Sequence, residues 1–399
     1  MEKDKEAVSG LDRELSFTVD EYKYRVREVQ EAMKGKGVEV LLAHHPLNVL
    51  YLSGFQSINM YDSECVIIPQ EGDITLLVPE REMGNALLQS WVEDVHPFSR
   101  TEYPDITFRQ PMQALTGLLR GRHLDRGCIG IERRSAAISA QKYETLKAFL
   151  DEAELVDGSG IVESVRACKS QEEIAYLRRA ASLTNQAMNA AITAAGEGKT
   201  DNDVAAAAYQ AMYAAGGEYV SLPVIVNSGR RSGIIHSTHK RVRLNKGDGV
   251  CIELGACFQR YTSPCMRTLS IGEPNEGVSR LANACLTALN NVLATMGPGV
   301  IADEVAKAGM EGIAIAGSNV IFHGCFGYSV GGAFPPSWAD GTVSIFEGMK
   351  FQLRPGMVFH IPMGLRVIGE YGAMFSETAL ITDDGCEALT NVDRHLFIR

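Results

Sequence analysis

The chain has 399 residues, 45% of them apolar, and a formal net charge of -11. That length exceeds what one hydrophobic core usually supports, so two domains are expected. The acidic balance disfavours nucleic acid and anionic lipid as partners, and no apolar run reaches the roughly 18 residues of a membrane helix.

In chain order, the opening stretch Met1-Glu2-Lys3-Asp4-Lys5 lacks an apolar signal segment, and a cytoplasmic location is expected. The pattern predicts a helix over 24–33 and an apolar, partly β-branched strand over 38–42. Two more strands, 64–69 and 74–78, flank a turn at 70–73. A strand over 128–132 and a helix over 139–149 complete an alternation that indicates an α/β domain. Nine cysteines without a CxxC pair read as reduced, mostly buried thiols.

Ser170-Gln171-Glu172-Glu173 is a capping box opening a long helix, with Ile174, Leu177, Ala181 and Leu183 in roughly helical register. The domain boundary therefore falls between 158 and 170, giving domains 1–163 and 164–399. The second domain repeats itself. Gly196-Glu197-Gly198 with Asp203-Val204 has a counterpart 101 positions later in Gly297-Pro298-Gly299 with Glu304-Val305, and Ala215-Gly216 matches Ala316-Gly317. Each copy follows an alanine-rich amphipathic segment and precedes a strand-rich region. Two half-domains related by a pseudo-twofold axis are expected, with a curved sheet whose concave face lies between them.

Three stretches carry the chemistry: Gly247-Asp248-Gly249-Val250-Cys251-Ile252-Glu253, Gly327-Tyr328-Ser329-Val330-Gly331, and Gly356-Met357-Val358 running on to Phe375-Ser376-Glu377. They resemble the "pita-bread" family of prolidases, methionine aminopeptidases and creatinase. The resemblance implies an α/β N-terminal domain and an α+β pita-bread C-terminal domain with internal duplication. In the metal-dependent members it also implies five ligands: two Asp, one His and two Glu. Here those positions read as Glu253, Pro264, Tyr328, Pro362 and Glu377. Proline offers no side-chain donor, and phenol is a poor substitute for imidazole. Two carboxylates alone bind a hard divalent ion weakly. No metal and no cofactor are expected.

His236 follows Ser228-Gly229 in the manner of the active-site histidine of creatinase, so the resemblance implies that it moves protons. Glu253 and Glu377 are expected to share one cavity, where a substrate cation or a bound proton would offset the paired negative charge. An amidinium supplies that cation and already carries an electrophilic carbon, so it needs no Lewis acid. The family includes a metal-free relative of creatinase acting on a cyclic amidine that bears a carboxylate, and such a substrate is the expectation. Glu377 would hold the amidinium, Glu253 would attack its carbon or activate water, and His236 would protonate the departing nitrogen. Tyr328 would orient the substrate, with His323 and His360 flanking it. Arg230, Arg231 and Arg267 are options for the substrate carboxylate. A homodimer follows from the same resemblance, with the neighbour's segment 56–62, Tyr61 above all, closing the pocket. A deacetylase acting on the opened product is an expected associate. The competing expectations are a metal-dependent Xaa-Pro dipeptidase, a creatinase-like amidinohydrolase, and an inactive protein that uses the cleft for recognition.

Overall fold

A computed structural model describes residues 12–60, 63–98 and 110–399. The chain divides into two compact units between Arg166 and Ala167.

The first unit runs α1 (Val19–Lys34), β1 (Val40–Ala43), α2 (Pro46–Ser53), β2 (Cys65–Pro69), β3 (Thr75–Pro79), α3 (Met83–Gln89) and β4 (Val95–Phe98). It continues through α4 (Gln110–Gly121), β5 (Gly127–Ile131), α5 (Ala140–Phe149), β6 (Ala153–Asp157) and α6 (Ile161–Arg166). Helix α1 starts before the sequence expectation because Thr18 caps it, its hydroxyl accepting from the Glu21 amide. The sheet has the order β4-β3-β2-β1-β5-β6. It is mixed: β1 runs antiparallel to β2 and parallel to β5. Leu42, Ile67, Leu77 and Ile129 of the sheet pack with Leu115 and Leu119 of α4 and Leu146 of α5.

The second unit begins with α7 (Gln171–Ala194), where the Ser170–Glu173 capping box is formed in both directions. Then follow α8 (Asp201–Ala214), β7 (Ile225–Ser228), β8 (Gly249–Leu254), β9 (Cys257–Phe258), β10 (Tyr261–Thr262) and β11 (Cys265–Ser270). The second half repeats the order with α9 (Glu276–Thr295), α10 (Ala302–Ile313), β12 (Gly327–Phe334), β13 (Ser337–Ile345), β14 (Val358–Val367) and β15 (Tyr371–Ile381). Two short strands, β16 (Cys386–Ala388) and β17 (Phe397–Ile398), close the chain. The sheet has eleven strands. Its main path is β7-β8-β11-β15-β14-β12-β10-β9, with β13 on β12, β16 on β15 and β17 on β11. It curls into an antiparallel half-barrel, the pita-bread arrangement.

The duplication is visible in local detail. Helices α8 and α10 are each entered through an isolated β-bridge, Thr200 with Arg243 and Ile301 with Gln352. Gly198 and Gly299 hold equivalent left-handed turns, at φ 80° and 84°. Each helix pair packs on its own half of the sheet. Leu183, Met188 and Val204 meet Val226, Ile252 and Leu269 in one core; Leu281, Leu289 and Val305 meet Phe359, Ile361 and Phe375 in the other. With that face of the sheet covered by helices, the opposite, concave face is left for a cavity.

Candidate active site

The second unit holds a cavity of about 520 Å³ on the concave face. Side chains alternate across a strand, and residues paired across strands point the same way. One rung of the sheet therefore decides which groups meet there. Ile225 pairs with Glu253, Glu253 with Met266, Met266 with Ser376, and Ser376 with Pro362. All of these except the fully buried Ser376 line the cavity.

Glu253 sits at the centre of this rung and is 7% exposed. Its carboxyl has no hydrogen-bond or ion-pair partner among the described residues. Burial alone pushes its pKa up to about 8, so it carries a proton at neutral pH.

Glu377 does not share that cavity, against the sequence expectation. It pairs with Ile361, one step out of phase with Glu253, and its side chain points to the other face of the sheet. There it is fully buried, 2.6 Å from Nη2 of Arg267 and 2.9 Å from Nε of Arg394, and Thr390 donates its hydroxyl to it. Arg267 also donates to the carbonyls of Val392 and Asp393, so this cluster ties the C-terminal segment to the sheet. Glu377 and Arg267 are thus both engaged in structure, and neither supplies a charge to the cavity.

Tyr328 lies on the cavity wall, and a chain of polar groups runs behind it. The Trp338 indole donates to its hydroxyl at 2.7 Å, the hydroxyl meets Nδ1 of His360 at 2.7 Å, and Nε2 of His360 meets the Ser376 hydroxyl at 2.7 Å. Burial pushes His360 down to about 3, so its imidazole is neutral. Burial, and secondarily the Glu253 carboxyl, holds the Tyr328 phenol well above its ordinary value. His360 is fully buried and off the cavity wall, so it acts on Tyr328 and does not touch a ligand.

His236 and His323 both line the cavity and are exposed. His236 follows the 3-10 turn Gly229–Gly233 and has a left-handed backbone, at φ 55°. That turn is pressed on β15, where the Gly372 amide donates to the Ser232 hydroxyl at 2.9 Å. The Gly233 Cα lies so close to the carbonyl of Val367 that an added Cβ would sit 2.4 Å from it. His323 has a lowered pKa, from burial first and then from the positive charges of Arg366 and His236.

Arg230 is exposed on the turn and does not line the cavity, because its neighbours Ser232 and Gly233 take the buried side. Arg231 donates to the Ser237 hydroxyl and, at 2.7 Å, to the Thr238 carbonyl, bracing the loop that carries His236. The cation on the wall is instead Arg366 of β14, on the same face as Pro362 and Gly364. Period-two spacing from Pro362 is the sequence signal that marks it. Tyr61 lies outside the described residues.

A divalent metal centre is implied by the family resembled, so the donor set is the test. Along the rung that faces the cavity, Glu253 is accompanied by Ile225, Met266, Ser376 and Pro362, and Tyr328 is a neutral phenol held in hydrogen bonds. The Pro264 carbonyl accepts from the Thr378 hydroxyl. Among the described residues no three His, Cys, Asp or Glu side chains group so as to hold a metal ion. The residues present do not fit a two-metal centre. Nor, among them, is any helix long and apolar enough to cross a membrane.

Comparison with known proteins places this arrangement. The Creatinase/Prolidase N-terminal domain model matches residues 25–168. Ectoine hydrolase of Halomonas elongata is 28% identical over 96% of this chain and 99% of its own length. An Xaa-Pro dipeptidase of Pyrococcus horikoshii is 29% identical over 93% of this chain and 98% of its own. The crystal structure of the prolidase from Pyrococcus horikoshii superposes with a TM-score of 0.79 at 28% identity, over 94% of this chain and 99% of that one. The model of metallopeptidase family M24 matches residues 175–383, more than half of the chain and all of the cavity-forming strands, so the chain belongs to family M24, in its creatinase/prolidase-like branch.

Proposed function

We propose that this chain is a metal-independent hydrolase that opens the ring of a cyclic amidine, with ectoine as the substrate and N-acetyl-L-2,4-diaminobutyrate as the product, and 5-hydroxyectoine beside it giving the correspondingly hydroxylated product. The observation that carries this reading is Glu253: a buried carboxyl with no partner among the described residues, its pKa raised by burial, facing a cavity that no second described carboxylate lines. An entering amidinium is the complement such a group lacks. Its charge favours the ionised carboxylate, and the two form charge-assisted hydrogen bonds in a poorly hydrated site. The likeness to ectoine hydrolase over nearly the whole of both chains supports the same substrate class.

The ionised Glu253 then either bonds to the amidine carbon or takes a proton from the water that attacks it. Both routes add one water and break one ring C–N bond. In the first, a covalent adduct forms and water releases the carboxylate. His236, at the cavity wall, takes up the proton released by Glu253 or by the attacking water and delivers it to the departing nitrogen. Tyr328 orients the amidine, its hydroxyl held by Trp338 and His360. The donor set supports the metal-free part of the proposal. A homodimer in which Tyr61 of a second copy closes the site, a cytoplasmic location and association with an N-acetyl-diaminobutyrate deacetylase belong to the same proposal.

The likeness to Xaa-Pro dipeptidases at similar identity favours one second reading, a metal-dependent dipeptidase. Purified protein incubated with ectoine, creatine and an Xaa-Pro dipeptide, with and without chelator, separates the two. Chelator-insensitive conversion of ectoine to a product heavier by one water is expected. Cleavage of the dipeptide alone, lost on chelation and restored by Mn²⁺ or Co²⁺, would overturn the proposal.

A further inference from the structure

The cavity contains a second unsatisfied charge, and it is positive. Arg366 is 8% exposed, lines the same cavity as Glu253, and its guanidinium has no hydrogen bond or ion pair among the described residues. Its Nη2 is fully buried and orphaned. The backbone around it is fixed, because Arg366 and Ile321 exchange both hydrogen bonds of an isolated bridge, at 2.9 and 3.3 Å. The backbone is therefore held at the wall, while the side-chain donors make no hydrogen bond among the described residues.

Buried guanidinium groups are ordinarily paired, since an unpaired one loses hydration without recompense. Three other arginines of the second unit show the ordinary case. Arg267 is bound to Glu377, Arg231 to the loop of Ser237 and Thr238, and Arg260 to Glu218 and the carbonyls of Tyr219 and Ala333. An anion in the cavity that Arg366 lines supplies the acceptor its guanidinium lacks. The Glu253 carboxyl does not serve, as it forms no ion pair with Arg366.

We propose that Arg366 is the specificity-determining anchor for a carboxylate on the substrate, so that the cavity selects zwitterions: a cation toward Glu253 and a carboxylate at Arg366. This deepens the proposed function and rests on its reading of the cavity as a small-molecule site. It does not depend on which bond is broken. It also replaces Arg230, Arg231 and Arg267, the options read from the sequence.

Binding, measured by calorimetry on the full-length protein, is the test. The probes are ectoine, the same ring without its carboxylate, and acetate, each against wild type, Arg366→Gln and Arg366→Lys. Wild type is expected to favour ectoine over the decarboxylated ring by on the order of 10- to 100-fold, the worth of a charge-assisted pair. Arg366→Gln is expected to bring that ratio close to one, and Arg366→Lys to retain part of it. Circular dichroism and thermal midpoints check that both variants fold. If wild type binds none of the carboxylates, or if Arg366→Gln keeps the full ratio, the anchor is overturned. Should ectoine bind with the expected ratio yet remain intact, the anchor stands and the hydrolytic reading falls. Should ectoine be hydrolysed while the ratio is already near one in wild type, the reverse holds.

Discussion

Glu253 makes a prediction that is independent of substrate identity. Its pKa is raised from 4.5 to about 8 by burial, so the folded protein keeps a proton that the unfolded chain releases above about pH 4.5. Stability from this group is therefore whole below pH 4.5 and is lost as pH rises toward 8. Glu253→Gln stays neutral throughout. The variant is expected to match wild type in stability at pH 4.5 and to exceed it progressively up to pH 8, by at most about 5 kcal/mol, read as a rising difference in thermal midpoint. Equal midpoints across that range would show that Glu253 is ionised at rest. The same substitution is expected to lower turnover by at least about a thousandfold. Steady-state rates on the amidine read this out.

At the scale of the elements, β15 carries adjacent residues with opposite duties. Ser376 faces the cavity side and receives His360, while Glu377 faces the helices and joins Arg267 to Arg394. The second contact holds down the segment that ends in β17, paired with β11 through Leu269 and Phe397. Glu377→Gln leaves Arg267 buried without its counter-ion, a change that typically costs about 3–5 kcal/mol. A lowered thermal midpoint is expected, along with carboxypeptidase sensitivity of the last residues. A variant that kept the wild-type midpoint yet lost turnover would return Glu377 to the chemistry. That this region is rich in strands was legible in the sequence. The phase of β15 was not, because a single-residue offset in matching Phe375-Ser376-Glu377 to a family motif moves a carboxylate to the other face of the sheet.

At the scale of the molecule, the two helix pairs cover one face of an eleven-stranded sheet, and strands from both halves build the concave face. A bimetallic centre there would need carboxylates and an imidazole from both halves, and the second half brings Tyr328, Pro362 and Ser376 to that face. Millimolar Mn²⁺, Co²⁺ or Zn²⁺ is expected to leave the thermal midpoint unchanged, since a ligand stabilises only what binds it. A rise of several degrees would reveal a donor set outside the arrangement described.

Reading residues in order was enough for several of the elements, the Ser170 capping box, the duplication and the family. All of these depend on short-range spacing, on apolar periodicity or on motifs within a few residues of one another. Glu253, His236 and Tyr328 were singled out on that basis, and the fold puts all three on the wall of one cavity. The charge state of the site was not legible in this way, because it depends on which groups a curled sheet brings together and which it turns aside. Glu377, Arg267 and Arg231 look like free charges along the chain, and each is consumed by a partner 6 to 126 residues away. Arg366 looks like an ordinary strand-end cation, yet it is the one on the wall of this cavity left without a partner among the described residues. Pairing across strands and desolvation by the fold set those outcomes, and neither is a property of a residue's neighbours in sequence.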